Sequence, residues 1–331
     1  MHIFPPCFSP HREEKWLCLY VRRWSVVKWD KNFTQGGLCT LCRLCPRDCG
    51  ALRTPDTGAG LCRMPAAPVL ARAALHHWEE PPISGSRGSG TIFFSGCSLG
   101  CVFCQNEAIS HRDFGRAVSM ERLEEICREL ISQGAHNLNF VNPTHYAHVV
   151  RQLLQGRKFP VPTVWNTGGY ERVETLRGLE GLVDIYLPDL KYLNADTARR
   201  YSGAEDYPRH ATAAIREMVR QTGPCRFDGD GLLTRGVIVR HLILPGQVEQ
   251  AKAVMDWVAG EFEAGSVLFS LMSQYTPWGD LSGVPELDRR LRAGEMRAAR
   301  DYMENLGLAG FTQERTSARE EYTPPFDLTG V

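Results

Sequence analysis

Three cysteines stand close together in the stretch "SGCSLGCVFCQN". Cys97, Cys101 and Cys104 have the spacing C-x3-C-x2-C, and a thiolate is a strong metal ligand. A structural zinc site normally closes with four protein ligands, whereas a [4Fe–4S] cluster held by three thiolates keeps one iron free for an external ligand. The set of three therefore favours an iron–sulfur cluster with one open position.

Taken alone, the three cysteines are also compatible with incidental buried residues, or with a zinc site completed by a distant histidine. Gly96 and Gly100 relax the backbone, so a short loop can turn its thiols to one side. The loop also follows directly on the strand candidate "TIFFSG", and loops at the C-terminal ends of parallel strands commonly carry chemistry. The glycines and the position favour the cluster over both alternatives.

A second group of cysteines lies upstream. Cys42, Cys45, Cys49 and Cys62 offer four ligands, with Cys39 as a spare. Four thiolates can hold a structural Zn²⁺ or an auxiliary [4Fe–4S] cluster. We expect a metal here, with iron–sulfur only slightly ahead of zinc because the spacing does not decide between them.

The whole chain limits the classes of function. Its 331 residues carry 38 basic and 38 acidic side chains, so the net charge is zero, and we expect no nucleic-acid or membrane partner. No apolar stretch approaches the ~20 residues of a membrane span, and we find no secretory signal. We therefore expect a cytoplasmic protein whose 12 cysteines are thiols or metal ligands rather than disulfides.

The chain divides into three zones. We expect an irregular or mis-assigned N-terminal extension at residues 1–36, a cysteine-rich metal-binding module at 37–80 and a core domain at 85–331. Helical patterns separate six strand candidates in the core, "TIFFSG", "NLNFVN", "PTVWNT", "LVDIYLPDL", "GVIVRHLIL" and "SVLFSLMS". This alternation predicts an α/β fold with parallel pairing, either a partial (β/α)6 barrel or an open doubly wound sheet.

The three-cysteine loop resembles the cluster loop of radical S-adenosylmethionine (SAM) enzymes, with the aromatic Phe103 before the last cysteine. Its "CQN" ending resembles the activating enzymes of pyruvate formate-lyase. The resemblance runs from about Leu38 to Val331 and is closest to an uncharacterised branch of pyruvate formate-lyase-activating-enzyme-like proteins. It implies a partial TIM-type (β/α)6 barrel, a [4Fe–4S] cluster, bound SAM, and a reductant such as flavodoxin or ferredoxin. It also implies reductive cleavage of SAM to a 5′-deoxyadenosyl radical.

Two further motifs resemble those of the activases. The Asp-Leu-Lys of "YLPDLKY" points to Asp189 and Lys191, and "VRHLILPG" points to Arg240. The family implies contacts to SAM or substrate at these positions. Cations near C-terminal strand ends could meet a carboxylate, although each charge taken alone fits a structural ion pair about as well.

One segment departs from the family. Many members end their second strand in Gly-Gly-Glu, which meets the amino group of SAM, whereas this chain has "NFVNPTHY", with Asn142, Thr144 and His145. Exposed backbone groups could replace the missing contact. The following strand ends in "WNTGGYE", which supplies Asn166 and Thr167 on a flexible turn suited to close approach by a ligand. We expect these five residues and Phe103 near the cofactor.

The resemblance implies a radical SAM enzyme that activates a glycyl-radical enzyme by hydrogen abstraction. Modification of a peptide or a small molecule would use every motif quoted above and stays an alternative. A non-enzymatic iron–sulfur or zinc protein is a weaker one, because it would need neither SAM nor strand-end cations such as Lys191 and Arg240.

Overall fold

Strands and helices alternate through the part of the chain that the structure, a computed structural model, describes: residues 40–312 and 324–331. The strands are β1 (Thr40–Cys42), β2 (Ala51–Arg53), β3 (Val69–His76), β4 (Ser89–Phe94), β5 (Arg116–Ala117), β6 (Leu138–Val141), β7 (Thr163–Thr167), β8 (Ile185–Pro188), β9 (Arg226–Phe227), β10 (Leu233–Leu242), β11 (Leu268–Met272) and β12 (Gly310–Thr312). The helices are α1 (Pro81–Ser84), α2 (Glu107–Ser110), α3 (Met120–Ser132), α4 (Ala147–Gln155), α5 (Val173–Arg177), α6 (Ala195–Ser202), α7 (Tyr207–Thr222), α8 (Val248–Glu261) and α9 (Ala293–Leu306). The predicted extension at 1–36 and the spare ligand Cys39 lie outside the described residues.

The six predicted core strands are confirmed, and they pair in chain order. β4, β6, β7, β8, β10 and β11 form successive parallel neighbours. A doubly wound sheet reverses its strand order partway along, and this sheet does not. The arrangement is that of a partial (β/α)6 barrel, as predicted, with β3 added antiparallel to β4 and β12 added parallel to β11.

Both faces of the core strands are buried, and alternate residues enter different apolar clusters. Trp165 and Tyr186 belong to the main cluster, which includes residues of the helices. Val164 and Ile185 belong to a smaller cluster with Ile83 of α1. The short helix α1 therefore fills one side of the sheet, and Glu80, the residue just before it, is buried as well.

The upstream cysteines lie around a small antiparallel hairpin formed by β1 and β2. The chain then enters β3, which falls within the predicted 37–80 module but pairs with β4 in the large sheet. Contacts within the chain group residues 40–312 and 324–331 as one compact unit. Among the described helices, none has the length and apolarity needed to cross a membrane.

Candidate active site

The three predicted cluster ligands lie together on the loop between β4 and α2. Cys101 is buried, and Cys97 and Cys104 are partly exposed. Burial, followed by the neighbouring thiols of Cys101 and Cys97, raises the pKa of Cys104 to about 12. The thiols are thus close enough to interact electrostatically, at the C-terminal end of the first core strand.

Asn142 and His145 hold the start of this loop. The His145 Nε2 donates to the Ser95 carbonyl at 2.6 Å, so that nitrogen carries the proton, and burial lowers the pKa of this imidazole to about 3. Asn142 takes a left-handed φ of +56°, a conformation that asparagine tolerates better than most residues. Its Nδ2 donates to the Gly96 carbonyl. Both side-chain donors are engaged by the loop, and contact with a cofactor stays a prediction.

Arg47, between the module cysteines Cys45 and Cys49, holds the middle of the loop. Its Nε donates to the Ser98 carbonyl at 2.8 Å and its Nη2 to the Leu99 carbonyl at 3.1 Å. The same guanidinium donates to the carbonyls of Ser202 and Gly203 at the end of α6. One side chain therefore ties the cysteine module, the cluster loop and a core helix together.

All three sulfurs have hydrogen-bond partners, and at Cys104 the Ser110 side chain and the Asn106 backbone oppose the rise in pKa that burial causes. The Leu99 backbone N–H donates to Cys97 Sγ at 3.3 Å, and the Ser202 hydroxyl donates to Cys101 Sγ at 3.0 Å. Hydrogen bonds to the charged form of a group favour that form. The loop is therefore suited to hold thiolates, the form of cysteine that ligates metals.

Asp189, Lys191 and Arg240 form one buried ionic network, as their adjacent strands allow. The Lys191 Nζ donates to Asp189 Oδ2 at 2.6 Å, and the Arg240 Nε donates to Asp189 Oδ1 at 2.9 Å. Burial alone would raise the pKa of Asp189, but the guanidinium and the ammonium outweigh it and hold that pKa below its usual value. Arg240 also donates to Asn166 Oδ1 at 2.7 Å.

Lys191 is the member of this network that lies near the cluster loop. Burial raises the pKa of Cys101, and the charge of Lys191 opposes that rise. A side chain at Gly168 would place its Cβ 3.2 Å from Leu99 Cδ1 and 3.7 Å from Lys191 Cε. The glycine turn after β7 thus packs directly against both the loop and Lys191.

Thr144, Thr167 and Phe103 are fixed by other parts of the protein. The Thr144 and Thr167 hydroxyls donate to Glu171 Oε1 at 2.7 and 2.5 Å. Phe103 packs edge-on against Tyr201, with ring centroids 6.4 Å apart. The three side chains support the segments around the loop, and their predicted contacts with a cofactor remain predictions.

Sequence reasoning missed the two acidic residues before α1. The Glu79 Oε1 accepts from Asn139 Nδ2 at 3.2 Å and from Asn166 Nδ2 at 3.1 Å, and its other oxygen lies 3.4 Å from Arg240 Nη1. Glu80 is also buried. The signal in "HHWEEPPIS" is weak, because two acidic residues before a Pro-Pro turn are typical of a surface. Arg47, Glu171 and Ser202 were missed as well, for want of any local pattern.

The four upstream cysteines also lie together. Burial raises the pKa of Cys45 to about 12, and the thiols of Cys42, Cys62 and Cys49 add smaller increases. A Cβ at Gly60 would lie 3.2 Å from Cys49 Sγ, so the turn at Gly60 packs closely against this thiol. The four form a second set of thiols beside the cluster loop.

Arg53 supplies positive charge to this second set. Its Nη1 lies 3.9 Å from Cys42 Sγ, and its charge lowers the pKa of Cys62 against the larger effect of burial. Its Nη1 also donates to the His145 carbonyl. Buried charges need such compensation, and thiolates bound to a metal would provide it.

The donor sets can be compared with the groups they could hold. Within residues 40–312 and 324–331, no three Cys, His, Asp or Glu side chains are arranged around a single metal ion. Thiolates that each bind a different iron of a cluster need not meet at one point. Three thiols on one loop with a nearby cation fit a cluster that has an open iron.

Several solved structures are similar in part. Streptococcus suis SuiB, solved with S-adenosylmethionine bound, overlaps 68% of this chain and 47% of its own, with 15% identity and a TM-score of 0.45, so this chain spans about half of SuiB. A radical SAM methyltransferase from Sphaerobacter thermophilus overlaps 68% of this chain and 66% of its own, with 15% identity and a TM-score of 0.46. A domain of a pyruvate-formate lyase-activating enzyme from Bacteroides vulgatus overlaps 52% and 91%, with 12% identity and a TM-score of 0.35.

Sequence comparison gives the family. An uncharacterised protein of Methanocaldococcus jannaschii is 28% identical over 276 residues, which cover 81% of this chain and 75% of that protein. The model of the Radical SAM superfamily matches residues 91–258, about half of the chain, from the strand before the cluster loop to the helix after β10. The family predicted from the three-cysteine loop is confirmed, and the chain belongs to the radical SAM superfamily.

Proposed function

We propose that this protein holds a [4Fe–4S] cluster at Cys97, Cys101 and Cys104 and cleaves S-adenosylmethionine reductively. The observation that carries the proposal is the meeting of these three thiols on one braced loop at the C-terminal end of β4. When bound, the cluster supplies the electron that breaks a sulfur–carbon bond of SAM. The protein's contribution is to bind, orient and shield.

Lys191 is suited to orient the anionic end of SAM. It lies near Cys101 and beside the Gly168 turn, and an ammonium binds a carboxylate with a strong, charge-assisted hydrogen bond. Asp189 holds the Lys191 ammonium in place through the hydrogen bond from Nζ to Oδ2. Arg240 is already bonded to Asp189 and Asn166, so we assign it to holding the network rather than to direct contact.

The interior of the partial barrel is filled by α1, and this packing shields the site from water. Ile83 of α1 is fully buried against residues of β7, β8, β10 and β11. Radical chemistry needs competing reactions excluded. We assign α1 to closing the end of the barrel away from the cluster loop, because β3 runs antiparallel to β4 and delivers the chain there.

For the target we propose a backbone glycine of a partner glycyl-radical enzyme. The "CQN" ending and the Asp189–Lys191 motif resemble the activases. The described sheet is open, with β5 and β12 as its end strands, so a protein segment could approach from the side. The zero net charge gives no electrostatic steering, so recognition would depend on shape.

The glycyl-radical proposal is tested by electron paramagnetic resonance (EPR). The reconstituted, reduced protein should produce a glycine-centred doublet in a candidate partner encoded nearby when SAM is present. The control is the variant with Cys97, Cys101 and Cys104 replaced by Ala, which should give no doublet. Turnover of a small molecule or a non-glycyl peptide, with no doublet for any candidate, would favour the alternative of radical modification.

For the upstream cysteines we propose a second metal, an auxiliary [4Fe–4S] cluster or Zn²⁺, that stabilises the hairpin module. The four thiols lie together beside Arg53, and so small a hairpin has little core of its own. Elemental analysis of the variant that lacks the three loop cysteines isolates this site. We expect bound iron or zinc, and the absence of both would exclude the second site.

A further inference from the structure

A chain of two buried hydroxyl groups ends on one of the cluster-loop thiols. The Tyr192 hydroxyl lies 2.9 Å from the Ser202 Oγ, and the Ser202 hydroxyl donates to Cys101 Sγ at 3.0 Å. Tyr192, Ser202 and Cys101 are 0%, 2% and 7% exposed. The chain is therefore shielded from water along its whole length.

The direction of the hydrogen bonds in this chain is fixed by chemistry. A thiolate only accepts, so the single Ser202 proton is directed to Cys101 Sγ. The Ser202 oxygen is then free to accept from the Tyr192 hydroxyl. Both bonds point the same way, and each strengthens the other in surroundings of low dielectric constant.

The backbone holds Ser202 firmly in this position. Ser202 is the last residue of α6, and its carbonyl accepts from Arg47 Nη2 at 2.9 Å. The Val102 N–H donates to the Tyr201 carbonyl at 2.9 Å, which ties the cluster loop to the same helix end. The hydroxyl is thus fixed relative to the sulfur by contacts that do not involve either atom.

We propose that Ser202, supported by Tyr192, raises the reduction potential of the cluster bound at Cys101. We call the two hydrogen bonds that lead from Tyr192 through Ser202 to Cys101 the relay, and the inference rests on the proposed function. Reduction adds negative charge to a thiolate-bound cluster, and a hydrogen bond donated to a ligating sulfur stabilises that charge. Ser202 is a positioning residue rather than a catalytic one, because it acts through Cys101.

The test is a redox titration of the reconstituted protein followed by EPR. Ser202→Ala should lower the ratio of reduced to oxidised cluster at a fixed solution potential by roughly tenfold, which is about 59 mV for one electron. Tyr192→Phe should shift it in the same direction by less. The double variant should match Ser202→Ala, because the tyrosine acts only through the serine.

Tyr201→Phe is the matched control. It removes a hydroxyl from the residue next to Ser202, but that hydroxyl donates to Glu286 Oε1 at 2.9 Å instead of a sulfur. Its potential should equal that of the unsubstituted protein. An equal fall in this control would show that any hydroxyl nearby has the same effect, and would overturn the relay.

Iron content separates this inference from the proposed function. A wild-type protein that binds no iron at the three loop cysteines overturns the proposed function and the relay with it. Fully loaded variants with unchanged potentials, or a double variant whose shift is the sum of the single shifts, overturn the relay alone. If Ser202→Ala loses its cluster, the reduction potential of Tyr192→Phe remains the test, since this variant removes one buried oxygen and leaves Ser202 and the thiol intact. A lowered potential would then support the relay, and an unchanged potential would overturn it.

Discussion

The charged residues of the site are buried as a network in which each charge has a partner. Asp189 accepts from both Lys191 and Arg240, and Arg240 also meets Glu79. Removing one member of a buried pair leaves the other charge uncompensated, which costs about 3–5 kcal/mol. The network therefore contributes to folding as well as to orienting Lys191.

Asp189→Asn tests this at the residue scale. The substitution keeps the shape and removes the charge, so we expect the free energy of unfolding in urea to fall by about 3–5 kcal/mol. Asp196→Asn is the control, because Asp196 pairs with Arg199 at the surface, with 77% of its side chain exposed. That change should cost less than about 1 kcal/mol, and equal effects of the two substitutions would contradict the network.

The same residue predicts a pH dependence. The folded pKa of Asp189 lies below its ordinary value, so its contribution to stability is present above the unfolded pKa of about 3.9 and is lost as the pH falls through the folded pKa. Asp189→Asn should lose this part of the acid dependence. Melting curves measured between neutral and acidic pH would show it as a smaller decrease in stability for the variant.

Arg240 lies inside its predicted strand "GVIVRHLIL", and its ion pair with Asp189 appears only in the structure. Asp189 and Lys191 could be placed at the C-terminal edge of the sheet from the sequence alone, because they end or follow a predicted parallel strand. Glu79 could not. Its place depends on β3, whose sequence "VLARAALH" has a composition typical of a helix and becomes a strand through pairing with β4. A long-range antiparallel contact of this kind leaves no local pattern.

At the scale of elements, the cysteine module holds the cluster loop through Arg47. The guanidinium donates to four carbonyls, two on the loop and two at the end of α6. The planar fork of arginine can satisfy this set, whereas the single ammonium of lysine cannot. The module therefore contributes to the shape of the neighbouring site, whichever metal it binds.

Arg47→Lys tests this role while keeping the charge. We expect the half-life of iron at the loop cysteines to shorten by roughly tenfold. A tenfold change corresponds to about 1.4 kcal/mol, and one hydrogen bond from a charged group typically contributes about 1.5–3 kcal/mol. Bleaching of the cluster absorbance in the presence of a chelator measures this half-life. Arg43→Lys, at an exposed arginine paired with Asp48, is the control and should leave the half-life unchanged. An unchanged half-life in Arg47→Lys would show that the loop does not depend on this contact.

The elements themselves were predictable to different degrees. The six parallel strands have nearly continuous apolar sequences, which are typical of strands buried on both faces. α6 has clear end signals, since the Asn194 side chain caps its start and Gly203 ends it at φ +54°. Its sequence is polar, so no apolar pattern predicts the helix. Ser202 at its end could not be placed near Cys101 because that contact joins residues about a hundred positions apart.

At the scale of the whole molecule, one open sheet carries the cluster loop and the ionic network, and the cysteine module has a separate two-stranded sheet of its own. The six core strands, β4, β6, β7, β8, β10 and β11, follow the order of the chain, and β3 and β12 extend the sheet at either side. The predicted barrel and superfamily are confirmed, and the three loop ligands stay a prediction. The sequence did not predict what fills the interior, because α1 and its two acidic residues reach that space by a turn after β3.

The central claim is that a cluster on Cys97, Cys101 and Cys104 enables cleavage of SAM, and formation of 5′-deoxyadenosine measures it most directly. The protein would be reconstituted with iron and sulfide without oxygen, reduced with dithionite and given SAM, and the nucleoside would be quantified by chromatography. We predict 5′-deoxyadenosine from the unsubstituted protein and none above background from the variant with the three cysteines replaced by Ala. Equal amounts from both proteins, or none from an unsubstituted protein that carries its iron, would contradict the account.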